Sequence, residues 1–436
     1  MKQFIKERIE FICILISWVV AGVYIDDNVA VLLMSASILL LKYKGRYIEL
    51  ILGFMMILVL SDNRNWSMEW TGNAKNVYIV LLSLIAIFDR KHFTVPNKLF
   101  LPFVPFLIYA ALIVYKNPEP IISFEKVLSY FLLFAFIPLY FSKLLKENPV
   151  QFLRDVIYFS VGLLLVGFLY AIVRPDLTFL VERYNGILGN PNGVGIFCNV
   201  LFFAIYIITD KYPELFTNRE KLFFYVVIGI SMIMAGTRTG IMSVMIFLLF
   251  ARFNKLSPFY GFAILIVIAL SYQLFTDNLS DILHSLGLEK SLRSETIESG
   301  SGRFVAWTFA WTHIQKNYFF GMGWDYDNQL FTLYRPLLSS LGHNGGIHNV
   351  FLGFWLCLGI VGVVLFYYAF FKTYFMAASR SRLALPFMYA VLFSTTFEAW
   401  LMGSLNPFTI YWLLALQVIF YESIAPPKEK SLVPVL

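Results

Sequence analysis

The sequence predicts an all-α polytopic membrane protein with about 12–14 transmembrane helices and one large periplasmic loop that carries amphipathic helices. Three observations carry that prediction. Of the 436 residues, 59% are hydrophobic and only 14% charged, with a mean hydropathy of +0.72; a soluble domain sits nearer half apolar and a quarter charged. Apolar runs recur along almost the whole chain. The basic residues between them gather in alternate loops.

The apolar runs fall near residues 9–24, 28–41, 47–61, 76–89, 99–115, 124–141, 152–173, 193–209, 221–236, 239–251, 258–275, 347–371, 383–401 and 405–423. Several are shorter than the roughly 20 residues of a straight crossing, which keeps the count a range. The two earliest could pair as a shallow hairpin, and 239–251 is marginal. The start, Met1-Lys2-Gln3-Phe4-Ile5-Lys6-Glu7-Arg8 ahead of an apolar run from Phe11, superficially resembles a signal peptide. It reads as an uncleaved first span, because no small-x-small cleavage site precedes Asp26 and many spans follow.

With the N-terminus inside and sides alternating, the inside segments hold Lys2, Lys6, Arg8; Lys42, Lys44, Arg46; Arg90, Lys91, Lys98; Lys143, Lys146, Arg154. They continue with Lys211, Arg219, Lys221; Arg252, Lys255; Lys372, Arg380, Arg382; Lys428, Lys430. These are 22 of the 34 lysines and arginines, as the positive-inside rule demands. Both termini are then cytoplasmic. The net charge of +7 follows mostly from orientation and makes no case for nucleic acid. Cys13, Cys198 and Cys357 lie in apolar runs without paired spacing and read as packing residues.

One outside segment differs from the rest. Residues 276–346 form a polar insert far longer than an ordinary connector. It divides the chain into an N-terminal bundle (1–275), the loop (276–346), C-terminal spans (347–423) and a cytoplasmic tail (424–436). Phe304, Trp307, Phe309, Ala310, Trp311 and Ile314 recur at helical spacing, which suggests an amphipathic helix near the interface. The tract Leu292–Gly302 before it reads as a flexible strap.

The polar positions that stand out gather on the outer face. His348 and Asn349 stand where the loop Gly342-His343-Asn344-Gly345-Gly346 gives way to a run long enough to cross a bilayer. An ionisable group at that boundary is expensive and points to function. The positive end of a helix dipole disfavours imidazolium, so the ring is suited to accept a proton as a general base. Ala235-Gly236-Thr237-Arg238-Thr239-Gly240 puts an arginine in a tight turn, with Gly236 and Gly240 leaving backbone room for an anion. The competing reading is a snorkelling side chain at a helix end. Arg303, in Ser301-Gly302-Arg303-Phe304-Val305-Ala306-Trp307, is either a second anion ligand or a solvated charge.

Phe320-Gly321-Met322-Gly323-Trp324-Asp325-Tyr326 combines a glycine turn with aromatics that suit sugar stacking, yet equally fit an interfacial belt. Asn190-Pro191-Asn192-Gly193 is a turn whose amides satisfy their own backbone or reach a sugar. Glu398 lies near the outer end of a late span and wants a partner, for which an outer-face arginine is natural. A zinc site from His343 and His348 has no carboxylate or cysteine nearby in sequence to complete it.

Taken in order, these motifs resemble the bacterial O-antigen ligase and polymerase superfamily. The carriers are Asn-Pro-Asn at 190–192, Thr-Arg-Thr-Gly at 237–240, Arg-x-x-x-Trp at 303–307 and Gly-x-Gly at 321–323. His348-Asn349 followed by Gly359-x-x-Gly362, then the glutamate-bearing penultimate span, complete the series. The resemblance runs from about residue 180 to 420; earlier residues match only as generic spans. Thr237 replaces a serine common in the family, and Gly345-Gly346 before the histidine is less typical.

The resemblance implies a glycosyltransferase of the bacterial inner membrane working at its periplasmic face, with no metal or other cofactor. Its donor is a glycan on a polyprenyl diphosphate, and its acceptor is a hydroxyl of lipid A–core. The alternative is a polymerase whose acceptor is a second lipid-linked repeat unit, and a protein-glycosylating ligase ranks third. A transporter or flippase fits less well, because the polar groups collect on one face rather than at mid-membrane. In this scheme Arg238 and Arg303 hold the diphosphate, His348 takes the acceptor proton, and Asn349, Glu398, Gly240 and Asn192 support them.

Overall fold

Helix punctuation in the sequence sets the element boundaries. Asp26, Asn190, Thr237, Asn349 and Asn406 each accept a backbone N–H from the first turn of the helix they precede. Thr217 and Glu220 close a reciprocal capping box. Pro120, Pro149, Pro191 and Pro407 occupy first helical positions, where a missing N–H costs nothing.

A computed structural model describes residues 2–63, 65–93, 97–180, 182–253, 257–285 and 303–421. The strap expected over Leu292–Gly302 and the tail expected over 424–436 lie outside the described residues. In chain order the helices are α1 (Ile9–Tyr24), α2 (Asp27–Tyr43), α3 (Tyr47–Ser61), α4 (Trp70–Phe88), α5 (Val104–Leu112) and α6 (Pro120–Glu147). Then come α7 (Pro149–Val173), α8 (Pro191–Lys211), α9 (Asn218–Met234), α10 (Arg238–Arg252) and α11 (Pro258–Ser285). The last are α12 (Arg303–Ile314), α13 (Tyr326–Leu333), α14 (Arg335–Ser340), α15 (Val350–Ala378), α16 (Ala384–Phe397) and α17 (Pro407–Phe420). Two short strands, β1 (Phe179–Leu180) and β2 (Arg183–Tyr184), pair antiparallel between α7 and α8.

The protein is a polytopic, all-helical membrane protein. Among the described residues five helical stretches are long and apolar enough to cross a bilayer: Trp66–Phe88, Pro120–Glu147, Pro149–Val173, Pro191–Lys211 and Val350–Ala378. Shorter apolar helices fill in around them. At the centre stands α17, whose fourteen residues are all buried, as an all-round apolar helix must be. Polar side chains pin it to its neighbours: Trp412 Nε1 donates to the Tyr374 hydroxyl at 2.8 Å, and Gln417 Nε2 to Ser142 at 2.8 Å.

Loops expected on one side share one end of the bundle. There Arg8 pairs with Glu49 and, at 2.6 Å, with Asp155; the Lys143 ammonium lies over the Tyr47 ring; and Arg382 pairs with Asp210 at 2.6 Å. The opposite end is recessed. Tyr130 on α6 donates to Leu401 O at 2.9 Å, in the loop between α16 and α17. Thirteen residues separate Tyr130 from Lys143, so that loop lies about 20 Å above the basic end. Ten further residues carry α6 about 15 Å higher. The short helices α3, α10, α16 and α17 thus end at the floor of a depression walled by longer ones.

The apolar run at 347–371, expected as the start of one straight span, is two helical arms. Gly359 takes φ +66 and ψ −179 and breaks α15. Phe354 meets Phe366 at 4.4 Å and Phe351 meets Tyr367 at 6.0 Å. In one straight helix these pairs would lie about 18 and 24 Å apart along the axis, so the arms fold toward each other. The freed backbone groups are satisfied by the Gly-x-Gly segment. Gly323 N donates to Cys357 O at 2.8 Å, Ile360 N to Tyr318 O at 2.9 Å, and the Tyr109 hydroxyl to Leu358 O at 2.8 Å.

Gly321 and Gly359 pack backbone to backbone: a Cβ on Gly359 would sit 2.2 Å from Phe319 O, and one on Gly321 would sit 2.4 Å from Cys357 O. Trp324 is no exposed sugar platform, since it is 2% exposed among Phe106, Tyr130 and Phe354.

Substituting Gly359→Ala therefore meets both the wrong φ and a backbone wall, and should cost about 1–3 kcal/mol in detergent stability. Gly229→Ala, with open space around it, should be neutral or slightly stabilising. Thermal unfolding of the two variants side by side checks this.

Candidate functional site

Six chain segments bring polar groups to the floor of the recess. The organising group is Glu398, the first residue beyond α16, which is 5% exposed. An ionised carboxylate only accepts hydrogen bonds. Its Oε1 takes Arg303 Nη2 at 2.9 Å and Asn192 Nδ2 at 3.2 Å, and its Oε2 faces His348 Nδ1 at 3.3 Å. Burial strips the carboxylate of water, and these three donors take its place.

His348 owes its place to backbone strain and to the broken helix. It adopts φ +47, uncommon for a residue with a side chain. Val350 lies 28 residues from the far end of α15, and a straight helix would lift it about 42 Å from there. Glu398 stands only about 20 Å up, at the end of the fourteen-residue α16. The fold at Gly359 brings the two together.

Because Glu398 can only accept, a neutral His348 ring carries its proton on Nδ1 and leaves Nε2 as the acceptor. A Cβ on Gly345 would lie 2.6 Å from Nε2. The glycine that departs from the family pattern keeps that nitrogen uncovered.

Arg303 opens α12 with its guanidinium over the Phe397 ring at 5.7 Å. The buried stripe of α12 is Ala306, Ala310 and Ile314, whereas Phe304 is 57% exposed. The helix expected from this spacing is present over Arg303–Ile314; small alanines let α12 lie close on α15, and Trp307 Nε1 anchors it on Ile347 O at 3.1 Å. Arg238 is the first residue of α10 and is half-buried.

Gly240 serves a different end from the one expected. A Cβ there would lie 2.9 Å from Thr237 Oγ1 and 3.0 Å from Gly195 O, so it permits close packing of α10 on α8 rather than room for an anion. Asn349 bonds to backbone rather than to the His348 ring. Its Oδ1 caps α15 and its Nδ2 donates to Thr396 O at 2.9 Å, holding the two helix ends together. Asn190 supplies the turn chemistry through Gly193 N, which frees Asn192 for the site.

With that geometry in place, the comparison with known families is specific. Residues 223–367 match the family model described as O-antigen ligase. The match covers about a third of the chain, from α9 into α15. Arg238, Arg303 and His348 fall inside it; Asn192 and Glu398 complete the cluster from outside. A search of curated proteins gives no match.

Two features escaped the sequence. Arg183, 8% exposed, reaches the floor and donates to Asn192 Oδ1 at 3.0 Å. Its strand and tight contacts carry no motif. Cys357 is no mere packing residue, for its thiol donates to Asp327 Oδ1 at 3.2 Å; Cys13 is exposed. Among the described residues no group of three or more His, Cys, Asp or Glu is set to hold a metal ion. His343 is buried beside His348, ring to ring at 6.0 Å, and contacts Gly346 O at 3.1 Å.

Among the described residues Glu398 is the carboxylate paired with both Arg303 and His348, and Glu398→Gln removes it. The variant should be less stable by about 3–5 kcal/mol at pH 7. Denaturation of both proteins side by side at pH 7 measures it.

Proposed function

We propose that the chain is an O-antigen ligase-like glycosyltransferase of the bacterial inner membrane, with both termini cytoplasmic and the recess opening to the periplasm. It transfers a glycan from a polyprenyl diphosphate to a hydroxyl of lipid A–core. The observation that carries this reading is the Arg303–Glu398–His348 cluster on the floor of the recess. A guanidinium suited to a diphosphate and an imidazole with one free nitrogen then stand on the same carboxylate. The N-terminal bundle (1–275), periplasmic loop (276–346) and C-terminal spans (347–423) divide the work of holding donor and floor.

The proposed step balances as follows. The acceptor oxygen attacks the anomeric carbon of the donor sugar, and its proton passes to His348 Nε2. The bond from that carbon to the diphosphate oxygen breaks, and the electron pair leaves on the diphosphate. Arg303 and Arg238 receive the charge, the latter aided by the N-terminal end of α10. Attack opposite the leaving group inverts the anomeric centre. The alternative is a polymerase, in which the acceptor is another lipid-linked unit.

Transfer by purified protein, with polyprenyl-diphosphate-linked glycan and lipid A–core, tests this. His348→Ala should lower kcat by about 10²–10⁴, the range for a positioned base. Arg238→Lys keeps the charge but loses the fork, and should lower kcat/KM by about 10-fold or more. Gly345→Ala should impair transfer by crowding Nε2. Near-normal activity of His348→Ala in a correctly inserted protein would sink the reading. Lipid analysis of a deletion strain separates the alternatives: full-length glycan stranded on its carrier marks a ligase, and products of one repeat mark a polymerase.

A further inference from the structure

We propose that Arg183 is a positioning residue for the transfer, acting through the Asn192 amide to hold Glu398 and, beyond it, His348 and Arg303. The proposal rests on the reading of His348 as the base. The sequence around Arg183 makes its site rigid. It lies on β2, with Leu180 opposite it across the two-strand ribbon. The next residue, Tyr184, is 1% exposed and packs on Phe168 and Phe179, while its hydroxyl covers Gly167 and Gly186. Arg183 is thus clamped at its backbone before its side chain reaches inward.

The guanidinium joins two turns that the chain keeps apart. Nε donates to Ala235 O at 2.9 Å, and Nη2 donates to Gly236 O at 3.3 Å and to Asn192 Oδ1 at 3.0 Å. Ala235 ends α9, and Gly236 follows it in a left-handed conformation at φ +57. Their carbonyls are orphans of a helix C-terminus, where a cation is welcome. That much is helix capping, and it also shapes the turn that leads into Arg238.

The third bond does more. A primary amide has one accepting and one donating end, and Arg183 can only donate. It therefore fixes the Asn192 oxygen toward itself and turns the NH₂ outward, to Glu398 Oε1 at 3.2 Å. Were the amide reversed, two sets of donors would face each other on one side and two acceptors on the other. The polarity of the chain Arg183–Asn192–Glu398–His348 is set at its buried end. With Glu398 supplied by Asn192, its Oε2 is left to orient His348 Nδ1.

A cap alone and a positioning residue differ in what substitutions do. The assay is the transfer described above, with kcat, donor KM and the pH profile measured alongside thermal unfolding of the full chain. Arg183→Ala and Asn192→Ala should each lower kcat about 10–100-fold with donor KM moved by less than about 3-fold. The double variant should fall no more than about 3-fold below Asn192→Ala, because the two act in series.

Should Arg183→Ala fail to fold, Arg183→Lys and Asn192→Asp carry the test. Lysine keeps a cation on the α9 carbonyls but lacks the fork that reaches three acceptors. It should restore stability while kcat stays about 10-fold or more down. Asn192→Asp can still accept from Arg183 yet faces Glu398 with a second carboxylate, so the acid limb of kcat/KM should move to higher pH. Full activity in Arg183→Lys, or losses that multiply in the double variant, would overturn the positioning role and leave the transferase reading intact. Absence of transfer by the unsubstituted protein would overturn both.

Discussion

The rest of the structure depends on one buried carboxylate. Glu398 has lost nearly all its water, and it stays ionised only because donors replace that water. They come from Asn192, Arg303 and His348, which lie 206, 95 and 50 residues away in the chain. Bringing three such remote donors within about 3 Å of two oxygens requires the outer ends of α8, α12, α15 and α16 to meet at one level. The short α16 and the fold at Gly359 achieve this. A shared level for these four helix ends is the geometric consequence of satisfying that one charge.

The sequence made the class of fold plain because hydropathy is the dominant energy in a membrane and is additive along the chain. Arg303, His348 and Glu398, which meet in the structure, also stood out in the sequence, since a polar group at an apolar boundary must be explained. The hinge at Gly359 did not. Hydropathy does not register φ, and a run such as Trp355-Leu356-Cys357-Leu358-Gly359-Ile360-Val361 reads as unbroken. Its partner signal, Gly321-x-Gly323, was visible, but nothing local ties two glycine motifs more than thirty residues apart.

Arg183 escaped for the opposite reason. Its importance lies in acceptors from 52, 53 and 9 residues away, two of them backbone carbonyls that any residue could supply. Gly240 illustrates the same point at a site residue. Its value is the space it leaves for Gly195 O and Thr237, which a reading of the turn alone assigns to a ligand.

An ion pair between Arg303 and Glu398 looks at first like a poor arrangement for a diphosphate ligand, since it cancels the charge it presents. Geometry answers part of this. One guanidinium nitrogen engages Glu398, while Phe397 supports the plane of the group from one side. In the proposed scheme the remaining donors of the fork take up the diphosphate. Fixing the arginine beforehand lowers the ordering cost when donor arrives.

The other part concerns the proton. In the proposed scheme His348 becomes imidazolium, and Glu398 on Nδ1 stabilises that charge as the acid of a catalytic triad does. A carboxylate at that position could instead take the Nδ1 proton. Arg303 and Asn192 oppose this, because both donate to Glu398 and so favour its ionised form. The same pairing that spends part of the arginine's charge keeps the imidazole in the tautomer that accepts a proton from the acceptor hydroxyl.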